Sequence, residues 1–150
     1  MNYESPIGYD SARIRAAAVY CSDGRVGEHF DDFLQKGLLL PKYDRVALPG
    51  GPACLAGHIE AHVHQQGVID EIKFLVETHG VTRMVLIAHA GCAFYSQRLR
   101  LPEAYLESQQ KIDLVKAAQQ IHDITGQWWV EAYYAHQRGS KVSFEPVPVR

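Results

Sequence analysis

Two short stretches of this chain carry side chains able to hold a transition metal: Cys21-Ser22-Asp23-Gly24-Arg25 and His89-Ala90-Gly91-Cys92. Together they offer two thiols and one imidazole, the ligand types zinc prefers, and three protein ligands leave a fourth position for water. A pair spaced H-x-x-C can bring both side chains onto one ion from a single turn. The third ligand must then come from elsewhere, and Cys21 serves if the strands that end in the two motifs are neighbours. Taken singly, each residue has a plainer reading. A cysteine at a strand end is commonly a small buried hydrophobe, and a histidine is commonly a satisfied surface or core residue. Asp23 and Arg25 are close enough in one loop to form an ion pair. On a solvated surface such a pair contributes almost nothing. Beside a metal, the fixed fork of guanidinium donors would hold the carboxylate ionised and in position.

Other candidates are weaker. Gly50-Gly51 falls between a strand and a helical segment and could cradle an anion on backbone N–H groups, although an ordinary tight turn explains it better, and it matches no dinucleotide or P-loop fingerprint. His58, His62 and His64 lie close together without the acidic residue of an H-E-x-x-H pattern, so they read as surface residues. Cys54 is either a packing residue or a fourth ligand that would close the site. A phosphatase-type C-x₅-R loop is absent, because the position that needs arginine is Gly27.

The elements that must position these residues follow from the apolar pattern. Residues 1–12 read as an arm. Ile14–Tyr20 is a short apolar run and a buried strand candidate that ends in the first motif. Val26, Phe30, Phe33, Leu34 and Leu38 recur at helical spacing and predict a helix over 26–38. Tyr43–Leu48 is a second strand. Residues 53–79 are helical in pattern with a break expected near Gly67, and Gly80 is a candidate cap. Arg83–Ala88 is the clearest buried strand and runs into His89. Residues 102–125 form a long helix, with Leu106, Ile112, Val115, Ala118, Ile121 and Ile124 as its apolar set and Gly126 after it. Trp128–Ala135 and Val142–Val147 close the chain as strands joined by a turn at 137–140. Alternating strands and helices imply an α/β fold with a parallel sheet. The final hairpin adds an antiparallel edge strand. Sites in such sheets form beyond the carboxyl ends of strands, where both motifs stand.

Bulk properties narrow the partners. The chain has 150 residues, one domain's worth, with 47% hydrophobic and 21% charged residues. A net charge of −2 gives no electrostatic reason for nucleic acid or an anionic membrane as partner. No apolar run approaches the roughly 20 residues that span a bilayer. The first residues lack a signal-peptide pattern, so a cytoplasmic location is the expectation. Three cysteines, an odd count, argue against a disulfide framework.

The combination C-x-D-x-R at one strand end and H-x-x-C at a later one resembles the β-class carbonic anhydrases. Val68–Cys92 is similar to that family's helix, turn, strand and metal motif, and Glu131–Pro146 to its terminal hairpin. The resemblance covers the chain from about Ala16 onward. It implies one Zn2+ per chain on Cys21, His89 and Cys92, with Asp23 and Arg25 as a catalytic dyad. The implied fold is a mostly parallel twisted sheet of four strands in the order 2-1-3-4, with a fifth antiparallel edge strand and helices on both faces, in one domain over 1–150. The implied activity is a lyase reaction, the interconversion of carbon dioxide and bicarbonate through a zinc-bound hydroxide, in a homodimer or larger homo-oligomer. The rival readings are a zinc hydrolase of carbonyl sulfide or carbon disulfide on the same site, and a non-catalytic zinc-binding member of the family. The sequence departs from the family's habit in three places: Ala88 and Ala93 stand where glycines flank the metal residues, and Leu48-Pro49-Gly50-Gly51-Pro52 replaces an Arg-Asn-x-Gly-Asn stretch.

Overall fold

The computed structural model describes residues 1–150. Strands β1 (Ala16–Cys21), β2 (Asp44–Leu48), β3 (Arg83–His89), β4 (Val130–Arg138) and β5 (Lys141–Val147) form one sheet in the order β2-β1-β3-β4-β5. The first four are parallel and β5 runs antiparallel to β4, as expected. β1 and β3 lie in the middle and are buried on both faces. A parallel strand covered on both sides reads as a continuous apolar run rather than an alternation. Ala17, Val19, Cys21, Met84, Leu86 and Ala88 join the larger core cluster. Ala16, Ala18, Tyr20, Val85 and Ile87 join the smaller one on the other face.

Helices cover both faces. α2 (His62–Glu77) and α3 (Glu103–Thr125) pack into the larger cluster through Val68, Ile72, Leu75, Leu106, Leu114, Ala117, Ala118 and Ile121. α1 (Gly27–Asp32), continued by a wider turn over Phe33–Gly37, covers the other face with Phe30 and Leu34. The single helix expected over 26–38 is therefore a short α-helix and a widened last turn. Its apolar residues do face the sheet, and Val26, Phe33 and Leu38 pack against the smaller cluster.

Three expectations are corrected. Gly67 does not break the second helix: α2 runs through it, and the interruption lies earlier, at Gly57, between 3₁₀ turns over Gly51–Leu55 and Ile59–Ala61. Helix α2 ends at Glu77, so Gly80 is not its cap; its left-handed φ of +72° lets Val81 N–H return to the Leu75 carbonyl. In α3, Ile112 and Val115 are half exposed. The buried stripe instead includes Gln110 and Asp113. A polar pair on a buried helix face requires partners, and these two find them at the candidate site.

Candidate metal site

The direction of the chain reverses between β1 and β3. From β1 it moves outward to β2, and from there it crosses back to β3 on the other side of β1. That is the topological switch point, where a doubly wound sheet opens a crevice beyond its carboxyl ends. Cys21 is the last residue of β1 and His89 the last of β3. The register pairs Val19 with Leu86, so Cys21 ends level with Ala88, beside His89. Cys92 returns to the same place because Gly91 adopts a left-handed φ of +71°, a conformation that suits glycine. The next turn is anchored by Tyr95 and Ser96 N–H groups donating to the Cys92 carbonyl at 3.1 and 3.3 Å.

All three residues are buried, and their ligand atoms lie within 4.8 Å of one another. A tetrahedral zinc, with bonds of about 2.3 Å to sulfur and about 2.0 Å to nitrogen, can bridge such a spread. His89 is the stringent test. Its Nδ1 lies 2.8 Å from the Ala90 carbonyl, which makes Nδ1 the protonated nitrogen. Nε2 is then a buried lone pair with no hydrogen-bond partner. Buried polar atoms are rarely left so, and a backbone-oriented imidazole with a free second nitrogen is the usual form of a metal ligand. The thiols fit as well. Cys21 is pushed down to about 4, chiefly by a hydrogen bond from the Cys92 thiol, against burial and with help from the Asp23 and Gly50 N–H groups. The same contact, together with burial, pushes Cys92 up, opposed by the Phe94 and Tyr95 N–H groups. The two thiols are thus in contact, and a cation between them would favour the thiolate form that zinc binds. The donor set fits zinc.

The Gly50-Gly51 turn is tight because Gly51 lies directly on the β1 end. A Cβ there would stand 2.6 Å from the Tyr20 carbonyl carbon and 2.7 Å from the Cys21 nitrogen. The anion that Gly50 N–H cradles is the chain's own Cys21 sulfur. Cys54, fully buried, lies outside the ligand group, and burial pushes its thiol up to about 12. It is a packing residue, and the closed four-ligand reading finds no support in it.

Asp23 and Arg25 form the pair the spacing suggested. Arg25 Nε lies 3.0 and 3.1 Å from the two carboxylate oxygens, Nη2 donates to Oδ2 at 2.6 Å, and the Arg25 backbone N–H donates to Oδ1 at 2.9 Å. These donors hold Asp23 down to about 2. A depressed carboxylate pKa means the pairing is complete above the ordinary value and is lost as pH falls through the depressed one. At neutral pH Asp23 is an anion whose direction is set by Arg25. Both line a cleft of about 150 Å³ with His29, His89, Gly91 and Ser140. A larger cavity of about 450 Å³, bordered by Arg13, Arg15, Lys42 and Trp129, lies at the amino ends of the strands, away from this chemistry.

Glu107, His136 and Glu145 also cluster closely enough for a metal. Lys111 Nζ, however, lies 3.0 Å from both glutamates and already takes the cation's place. The sequence reading missed Tyr95, Gln110 and Asp113, which are buried behind the ligands. The available signal was the spacing of Gln110 and Asp113 on the stripe that runs from Leu106 to Ala117 and Ile121. His58, read as a surface residue, instead meets Asp113 with Nε2 at 2.6 Å.

Comparison with known proteins agrees with the fold. The chain resembles the structure of a β-carbonic anhydrase, isoform I, from Trichomonas vaginalis at 12% identity and a TM-score of 0.60, covering 93% of this chain and 87% of that one. A β-carbonic anhydrase of Aspergillus fumigatus matches at 10% identity and a TM-score of 0.52, covering 94% and 93%. A structure from work on two tetrameric β-carbonic anhydrases of Sordaria macrospora matches at 11% identity and a TM-score of 0.52, covering 90% and 81%. No curated protein sequence matches. The family model described as "Putative carbonic anhydrase" matches residues 12–147. Nearly the whole chain therefore belongs to the carbonic anhydrase family, in its β-class fold.

Proposed function

We propose that the chain hydrates carbon dioxide reversibly, with zinc held by Cys21, His89 and Cys92. The observation that carries this reading is the unpartnered, buried His89 Nε2 beside two thiols, next to a carboxylate oriented by Arg25. Zinc, when bound, acidifies a coordinated water and so supplies a nucleophile near neutral pH. Cys21, His89 and Cys92 would hold the ion, and three protein ligands would leave it a further position. Asp23 accepts the hydrogen of the attacking oxygen and so turns its lone pair toward the substrate carbon. Arg25 spans both Asp23 oxygens and keeps the carboxylate from moving onto the metal. The cleft, at about 150 Å³, suits a substrate of a few atoms.

Two thiolates give the metal more negative charge than imidazoles would, so activity should favour alkaline pH. Stopped-flow hydration with a pH indicator, run from pH 7 to 9 on zinc-loaded protein, is expected to show rates above buffer that rise with pH. Rates equal to buffer at full zinc occupancy would instead favour hydrolysis of carbonyl sulfide or carbon disulfide, or a non-catalytic role.

We propose further that the chain works as a homodimer or larger assembly. The Sordaria proteins are tetrameric. In this chain Tyr3, Ile7 and Tyr9 are each at least 79% exposed, an apolar set on the arm with nothing of its own chain to cover it. Leu39 is also exposed, although its neighbours Leu38 and Leu40 pack against the smaller core. Light scattering at micromolar concentration is expected to give at least twice the monomer mass, and a monomer mass there would refute it.

A further inference from the structure

Behind the three candidate ligands lies a buried polar network built on one face of α3. Asp113 is 1% exposed, and its carboxylate accepts from Tyr95 Oη at 2.7 Å and from Gln109 Nε2 at 2.9 Å, and meets His58 Nε2 at 2.6 Å. One turn earlier, Gln110, also 1% exposed, donates from Nε2 to the His89 carbonyl at 2.8 Å. Apart from Gln109, which lies on α3 itself, each partner belongs to a segment that carries or supports a ligand. Tyr95 sits on the turn that follows Cys92, and its backbone N–H faces the Cys92 sulfur. His58 follows the 3₁₀ turn whose Gly51 abuts the Cys21 nitrogen. His89 is itself the imidazole ligand candidate. A single helix face therefore ties together the backbone behind all three.

The network is costly where it is incomplete, and Gln110 Oε1 is a buried acceptor left in it without a hydrogen-bond partner. A buried carboxylate requires donors for its oxygens, and here three side chains supply them. Tyr95 could donate to water if its turn swung out. Asp113 instead holds it at 2% exposure, where burial and the neighbouring anion push the phenol up and keep it a donor. We infer that Asp113 and Gln110 are positioning residues for the metal: they fix the His89 and Cys92 segments in binding geometry before an ion arrives. The inference rests on the zinc reading above and extends it to residues that touch no ligand atom of the metal.

Partners outside the ligand shell typically change metal affinity about 10–100-fold when removed. Asp113→Asn turns an acceptor into a donor facing donors and could unfold the chain. Tyr95→Phe therefore carries the test, since it removes one hydroxyl and keeps the ring. Zinc affinity, measured by competition with a chromophoric chelator, is expected to fall about 10-fold in Tyr95→Phe. The visible absorption of the cobalt(II)-substituted protein should shift as its thiolate geometry loosens. Arg83→Gln, which breaks the ion pair with Glu131 at the opposite end of the sheet, serves as the control for lost stability. It is expected to lower the melting temperature with zinc affinity and cobalt spectrum unchanged. Wild-type affinity and spectrum in Tyr95→Phe would overturn the inference, as would an equal loss of affinity in Arg83→Gln. A wild-type chain that takes up no zinc at all would fail the underlying reading, and the inference with it, in a separate and recognisable way.

Discussion

Cys92→Ser is expected to empty the metal site and abolish carbon dioxide hydration. Serine is the same shape to within one atom, so the turn at Gly91 can still form. Its hydroxyl, however, does not ionise at neutral pH and is a poor ligand for zinc, which binds the thiolate. The remaining pair, Cys21 and His89, comes from two different strands, and an ion held by only two protein ligands is readily lost. The affinity loss should exceed the roughly 100-fold upper range seen when a supporting residue is removed. Elemental analysis of purified protein should fall from near-stoichiometric zinc in the wild type to a trace, with activity falling in parallel. Cys21→Ser should behave alike. Cys54→Ala provides the contrast: that thiol is equally buried but lies outside the ligand group, so zinc content should stay at the wild-type level. Full zinc in both Cys21→Ser and Cys92→Ser would end the assignment.

Asp23→Asn should separate catalysis from metal binding. Asp23 is not among the three clustered ligand residues, so zinc content should not change. The carboxylate offers acceptors in two directions, and Arg25 engages both oxygens. An amide offers only one acceptor, and its NH₂ faces a guanidinium that also donates. The side chain must rotate away from one of the two duties. Loss of a positioned proton acceptor costs about 10²-fold or more in rate, so kcat should fall by roughly that factor. Because Asp23 is held down to about 2, protonation does not mimic the substitution anywhere between pH 7 and 9. The deficit should therefore be the same across that range. A wild-type rate in Asp23→Asn would remove Asp23 from the mechanism.

Much of the fold was legible because the sheet is short-range in its logic. Buried parallel strands read as apolar runs, and β1 and β3 stand out as AAAVY and MVLIA. The motif spacing was equally readable. H-x-x-C is a local turn, and D-x-R is a local ion pair whose geometry depends on one loop. The metal candidates could thus be named from residue type and position relative to a strand end.

Residue pattern and spacing alone could not decide which of these ends meet, which only the family resemblance supplied as an expectation, nor what stands behind them. The adjacency of β1 and β3 comes from the crossover past β2, and only that adjacency places Cys21 beside His89. Cys21, Cys54 and Cys92 look alike in one dimension. They differ because two converge on an imidazole while the third packs inside a 3₁₀ turn. The apolar pattern also misplaced the buried face of α3, because Ile112 and Val115 outscore Gln110 and Asp113 in hydropathy. The two polar residues are buried because their hydrogen bonds to His89, Tyr95 and His58 offset the desolvation that would otherwise expel them. Those partners lie between 18 and 55 residues away along the chain. Periodicity reports which residues prefer to leave water, and only the folded chain supplies the partners that let a polar residue do so.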